Sequence, residues 1–153
     1  MLAIVIIVIL LAFVFTYTNG FQDASSVAAS FIASRSAMPK QGILFVAGMD
    51  FLGALLGGSA VAFTISGLLL MEPSTQLVEV VLAALIGATA WNLLTWKFGL
   101  PSSSTHAIIG GLIGAGLAAA GVESIAWGLQ ELLVPPHELT GFIKILVFLV
   151  VSV

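Results

Sequence analysis

The sequence predicts an all-α membrane protein, a polytopic helical bundle with broken or re-entrant helices. Hydrophobic residues make up 60% of the chain and charged residues only 7%, whereas a soluble domain carries about a quarter charged residues. The mean hydropathy is +1.23. Apolar runs near the roughly 20 residues that a helix needs to cross about 30 Å of hydrocarbon recur along the chain, and no alternating ten-residue pattern suggests a barrel. Two polar clusters, NGFQD (Asn19 to Asp23) and GLPSSST (Gly99 to Thr105), interrupt apolar sequence where spans should continue. The absence of cysteine removes disulfides and cysteine-ligated metals. A net charge of -3 is too small to imply an electrostatic partner, and nothing points to nucleic acid.

The segments follow in order. Residues 1–18, MLAIVIIVILLAFVFTYT, lack a basic n-region and a small-residue cleavage site and read as a retained helix, not a signal peptide. Residues 24–37 continue the apolar character, so residues 1–37 form a first span with a break at 19–23. One straight helix of that length would be about 55 Å long, more than the bilayer with its head groups. It is therefore either bent and protruding or re-entrant in one half. SRSAMPKQG is an ordinary loop before a span at 43–70, and MEPSTQ is another before 76–98. After GLPSSST comes a span at 106–121. Residues 122–138 hold too many polar groups to cross and belong at the interface, closed by Pro135 and Pro136. The last run, 139–153, stops without a polar flank, which suggests a truncated chain or a fragment. Gly53, Gly57 and Gly58, and Gly110, Gly111, Gly114 and Gly116, form small-residue faces suited to close helix packing.

Charge sets the orientation. Arg35, Lys40 and Lys97 fall on one side, and Glu72, Glu123, Glu131 and Glu138 on the other, so the basic side is cytoplasmic. The amino terminus is outside if residues 1–37 cross once, and the parity changes if half of them is re-entrant. The expected location is the plasma or inner membrane, crossed several times, with lipid as a partner.

The breaks carry the functional signal, because non-helical backbone at membrane depth survives only inside protein or beside a water-filled cavity. A helix that starts after a break points free amides and its positive dipole end into the gap. Thr105, His106 and Ala107 would begin one such helix, and Asp23, Ala24 and Ser25 the other. Several hydroxyls beside a helix amino terminus can satisfy a tetrahedral oxyanion without burying a lysine. Ser104 or Thr105 can also serve simply as an N-cap, but four hydroxyls in a row exceed that need. Asp23 is an intramembrane carboxylate, by default a functional residue, with helix capping as the plainer alternative. Beside an anion it makes sense if a cation sits between, held by Asn19, the carbonyls of NGFQ and Asp23, which are hard oxygens of the kind sodium prefers. It can equally accept a hydrogen bond from a protonated oxyanion, which would select phosphate over sulfate. Asp50 is open between a coupling-ion ligand, a protonated bundle residue and an interface partner. His106 is open between proton coupling and a structural hydrogen bond. Trp91 and Asn92 brace the second break.

These residues resemble the inorganic phosphate transporters of the PiT type. NGFQDASSVAAS (Asn19 to Ser30) is similar to the family's first-repeat motif, written NGFHDAANAIAT in bacterial members. WNLLTWKFGLPSSSTHAIIGGLIGAG (Trp91 to Gly116) is similar to its W-N-x-x-T-W-x-x-G-L-P-x-S-S-T-H-A-I-I-G stretch. Gln22 stands where many relatives have histidine or asparagine, Ser26 where asparagine is usual, and Ser102 where the family has an apolar residue. The resemblance implies a secondary transporter of two inverted repeats, of which this chain is the first, carrying phosphate with sodium or protons. It implies no cofactor beyond the coupling ion. Carried over by motif, Asp23, Ala24, Ser103, Ser104 and Thr105 are phosphate contacts, while Asn19, Gly20 and Asp23 are cation-site candidates, with Asn19 and Asp23 for sodium. Asn92, His106 and Asp50 are supporting residues. The missing half of the site is expected from a second repeat in a longer chain or from a homo-oligomer. The alternatives are a sulfate permease on the same scaffold and a non-transporting membrane subunit. No enzyme is indicated: Ser104 and His106 lie close in sequence, but no oriented third group or nucleophile elbow accompanies them.

Overall fold

The structure, a computed structural model, describes residues 1–57 and 59–151, with the side chains at 21, 23–26, 60 and 61 outside the described set. The described elements are helices: α1 Leu2–Ala33, α2 Pro39–Leu56, α3 Ala60–Ser66, α4 Thr75–Phe98, α5 Ser104–Ala120, α6 Leu129–Leu133 and α7 Gly141–Val151, with one 3₁₀ turn at Val122–Ser124. Local chemistry sets several of their ends. Pro39 opens α2, where its missing N–H costs nothing. Ser74 caps α4 by accepting from the Leu77 amide at 3.2 Å. Gly99 ends α4 at φ +63, in the left-handed region that glycine enters without a Cβ clash.

The predicted break at 19–23 does not exist. α1 runs without interruption through NGFQD, about 48 Å long at 1.5 Å per residue. That stretch has no proline, so every residue donates its amide, and Gly20 keeps a negative φ. Of its polar side chains, Gln22 reaches α4 and donates to Thr95. Consequently the amides of Asp23, Ala24 and Ser25 lie within a helix and not at its amino terminus. The re-entrant alternative for α1 falls with the break.

The single span expected at 43–70 is also corrected. α2 stops at Leu56, α3 occupies Ala60–Ser66, and the weak helix formers Gly57 and Ser59 lie outside both. Leu69 then forms an antiparallel bridge with Ile125. Leu70 donates to the Ser124 carbonyl at 2.7 Å and Ala126 donates to that of Leu68 at 2.9 Å. The 122–138 segment, expected at an interface throughout, therefore starts inside the fold. Leu68 is wholly buried and Ile125 is 2% exposed. They join Ala84, Ile109, Leu112 and Ile145 in the apolar core. The same strip ties down α7, because Phe142 and Ile143 donate to the carbonyls of Ala126 and Trp127, and the Trp127 ring meets Phe142 edge-on.

α4 is the central helix, packed against α1 on one side and α5 on another. Against α5 the approach is close: a Cβ on Gly111 would lie 2.8 Å from the Ala84 carbonyl oxygen. Against α1 the helices run parallel in constant register. Thr75 Oγ1 donates to Met1 Sδ and Gln22 Nε2 to Thr95 Oγ1, with sequence separations of 74 and 73. α5 returns antiparallel, since Gln76 Nε2 reaches the Ala119 carbonyl at 3.0 Å. The carboxyl ends of α1 and α4, with Arg35 and Lys97, thus share one end of the bundle, and Glu72 and Glu123 share the other, as the charge pattern predicts. Leu2–Gly20 and Thr75–Phe98 are long and apolar enough to cross a membrane. The first of these packs little inside the fold: Leu10, Phe13 and Tyr17 are all exposed.

Candidate functional site

The GLPSSST break is present. α4 ends at Phe98, Gly99 turns the chain, and residues 100–103 run without helix to α5. α5 starts at Ser104, two residues before the expected start, so Ser104 and Thr105 form its first turn and Ser103 is its N-cap. Ser103 Oγ accepts from the His106 amide at 3.4 Å. Capping uses an acceptor lone pair of that hydroxyl and leaves its O–H able to donate. Around it, the first-turn amides have no acceptor within the helix, and the macrodipole adds positive potential. Ser103, Thr105 and His106 are exposed while Ser104 is buried. A helix amino terminus fringed with donors is suited to an oxyanion.

Ser102 has a defined structural part. Its Oγ accepts from Trp91 Nε1 at 3.0 Å, which fixes the loop to α4. Trp91 therefore braces the break directly. With His106, Ala107, Gly87, Gly110 and Gly111 it also lines an open hollow of about 390 Å³ between α4 and α5.

The NGFQD side reaches the same helix by another route. Gln22 Nε2 donates to Thr95 Oγ1 at 3.0 Å, and the Thr95 hydroxyl lies 2.9 Å from the Trp91 carbonyl and 3.1 Å from that of Asn92. A chain of hydrogen bonds, Gln22 to Thr95 to Trp91 to Ser102, thus joins the two sequence motifs through α4. Thr95 was not singled out in the sequence, although its spacing was available: Thr89, Asn92 and Thr95 recur every three residues, and on α1 Thr18, Asn19 and Gln22 occupy one face. Thr18, Thr89, Asn92 and Thr95 are all buried.

Among the described residues, Asn19 Oδ1, Thr89 Oγ1 and both amide atoms of Asn92 are buried without a hydrogen-bonding partner. Asn92 is 1% exposed. Gly20 is exposed, with nothing near the position of a Cβ. Asp50 is exposed on α2 and the described hydrogen bonds do not connect it to this cluster. The side chains of Asp23 and Ala24 lie outside the described residues. Among the described residues no three His, Cys, Asp or Glu side chains gather as a metal site.

A polar seam buried between long apolar helices, next to a donor-rich helix start, belongs to a class of protein that comparison identifies. The chain matches the phosphate transporter family over residues 19–153 and belongs to it. It is 41% identical over 147 residues to a probable low-affinity inorganic phosphate transporter of Mycobacterium leprae, covering 95% of this chain and 35% of that protein. A Bacillus subtilis protein described in the same words is 37% identical over 99% of this chain and 42% of its own length. The low-affinity inorganic phosphate transporter PitB of Escherichia coli is 41% identical over 75% of this chain and 24% of its own. A solved structure described as the sodium-dependent phosphate transporter superposes with a TM-score of 0.82 at 32% identity, covering 98% of this chain and 35% of that one. The chain spans about a third of the length of most of these proteins.

Proposed function

We propose that this chain contributes one half of the binding site of a membrane carrier that moves inorganic phosphate by symport with a cation, sodium in first place and the proton in second. The observation that supports this most is the start of α5, where Ser103 caps the helix and still has a proton to give. A tetrahedral anion with several acceptor oxygens would be held by the Ser103, Ser104 and Thr105 hydroxyls and first-turn amides, without a buried lysine. Asp23 and Asn19 on α1 supply the cation side, and Asp23 can alternatively accept from a protonated phosphate. His106 supports the turn at the mouth of the site. A second, inverted repeat carrying the same two motifs would close the cradle, and the carrier would be a multi-pass protein of the plasma or inner membrane.

The test is uptake of labelled phosphate by cells expressing the protein, with sodium gradients and proton gradients imposed separately and sulfate as competitor. Ser103→Ala, Ser104→Ala and Asp23→Asn are expected to abolish uptake. Accumulation of labelled sulfate with no competition by phosphate would overturn the assignment of the anion. Unchanged anion uptake in Asp23→Asn and Ser104→Ala would instead identify a non-transporting subunit.

A further inference from the structure

We infer that the turn joining α1 to α2 binds the head group of an anionic phospholipid, with Arg35 as its main ligand. The turn borders an open hollow of about 590 Å³. Arg35, Ser36 and Gln41 line it with polar groups and Ile32, Met38 and Pro39 with apolar ones, and no acidic side chain joins them among the described residues. Lys40 adds a second cation between Pro39 and Gln41. Asp23 and Asp50, the nearest carboxylates in sequence, each stand ten residues along a helix from the turn, about 15 Å. Gln41 Oε1 accepts from the Met38 amide at 3.3 Å, which leaves the Nε2 hydrogens to donate elsewhere. Guanidinium and amide together offer donors to the two free oxygens of a phosphodiester. The backbone at Arg35 adds to this. Ser36 donates to the Phe31 carbonyl at 3.2 Å and Arg35 to that of Ile32 at 3.1 Å, the pair of bonds that closes a helix around a left-handed residue, usually glycine. Arg35 holds that position at φ +56, a conformation costly for a residue with a Cβ. Glycine would close the helix without strain, so folding alone does not account for an arginine here.

The position of the hollow selects a lipid. α1 is about 48 Å long, and at an ordinary tilt of about 20° it spans about 45 Å, the thickness of a bilayer with its head groups. Its carboxyl end, with Arg35, therefore emerges among head groups. Ile32 on α1 and Ile43, Leu44 and Phe45 on α2 are exposed beside the turn, so the apolar part of the hollow continues into surface that faces acyl chains. A soluble anion would use the cations and leave that apolar part unused. Basic pockets at helix ends hold anionic head groups in this way. A choline head group, by contrast, would bring its own cation against Arg35 and Lys40. The hollow is also distinct from the phosphate cradle described above: Arg35 lies thirteen residues beyond Gln22, about 20 Å past the level of Thr95.

The experiment is native mass spectrometry of the purified, detergent-solubilised full chain, which counts bound lipid as phosphatidylglycerol is added, with phosphatidylcholine in parallel. Saturable binding of phosphatidylglycerol is expected, with its half-saturation raised about tenfold or more by Arg35→Gly. Lys97→Gln removes a cation from the same end of the bundle but outside the hollow, and should stay within about twofold of the parent. Arg35→Gly should melt no lower than the parent, because glycine suits the turn, so its weaker lipid binding would not reflect a damaged fold. If that variant does not fold, Arg35→Asn, which also tolerates the left-handed conformation, decides. Binding unchanged without the arginine overturns the inference. Equal weakening by Lys97→Gln does so too, since it would show surface charge and no site, as does phosphatidylcholine binding as tightly as phosphatidylglycerol. Displacement of the lipid by inorganic phosphate would reassign the hollow to a soluble anion and also overturn it.

Discussion

Replacing Thr95 by valine keeps the shape of the side chain and removes one hydroxyl, which isolates the hydrogen bond between α1 and α4. Thr95 is 3% exposed, so water cannot replace what is lost. Gln22 Nε2 loses its acceptor at 3.0 Å, and the hydroxyl's own contacts to the Trp91 and Asn92 carbonyls vanish. Those carbonyls stay within the helix ladder, so their loss is minor. An interhelical hydrogen bond in a membrane protein contributes about 0.6 kcal/mol on average and up to about 1.7. A half-buried donor that loses this acceptor adds up to about 1–3 kcal/mol. Part of the second term is recovered if the glutamine tip rotates, so Thr95→Val should destabilise the fold by about 1–2 kcal/mol. Gln22→Leu removes the other partner. The double variant removes both partners of the bond, and its loss should be about 1 kcal/mol smaller than the sum of the two single losses. Denaturant unfolding of the solubilised protein, followed by tryptophan emission, measures all four corners of this cycle. Strict additivity would show that the two helices are not joined by this bond, and the continuous path between the two motifs would fail with it.

Three further outcomes follow from contacts already described. Gly111→Ala places a methyl group 2.8 Å from the Ala84 carbonyl oxygen; backbone cannot step aside as a flexible side chain would, and thermal unfolding should show a loss of about 1–3 kcal/mol. Ser103→Ala removes the α5 cap at a cost of about 1 kcal/mol, and Ser103→Asn, which can cap, should restore stability; under the proposed function it should not restore phosphate uptake, which would separate capping from anion binding. Ile125→Ala empties part of the core around Leu68 and Ile145 and should cost about 2–5 kcal/mol by the same unfolding measurement.

Much of this architecture could be read from residue order. The ends of α4 follow from Ser74 and Gly99, and the break before α5 follows from Gly99, Pro101 and four hydroxyls, all local signals. NGFQD misled because the same residue types suit a loop or a helix face, and only α4 decides between them. Gln22 is tolerable inside a long apolar helix because Thr95 stands level with it and accepts its amide hydrogen, and that register depends on how two distant segments pack. Ile125 escaped for a similar reason. In sequence it sits in a polar stretch, and its burial arises from pairing with Leu68–Leu70, which no local pattern announces. Ser102 looked like a surplus hydroxyl until the Trp91 indole, close in sequence but across a chain reversal, was seen to use it.

The pairing of Leu68–Leu70 with Ser124–Ala126 also dictates an order of assembly. Leu69 leaves the ribosome well before Ile125 exists, so the polar backbone after α3 must wait, unsatisfied, while α4 and α5 are made and inserted. Until then the translocon or lipid head groups have to shelter it. A nascent chain stalled before Ser124 should therefore remain open to proteases just after α3, and one stalled beyond Ile143 should be closed to them.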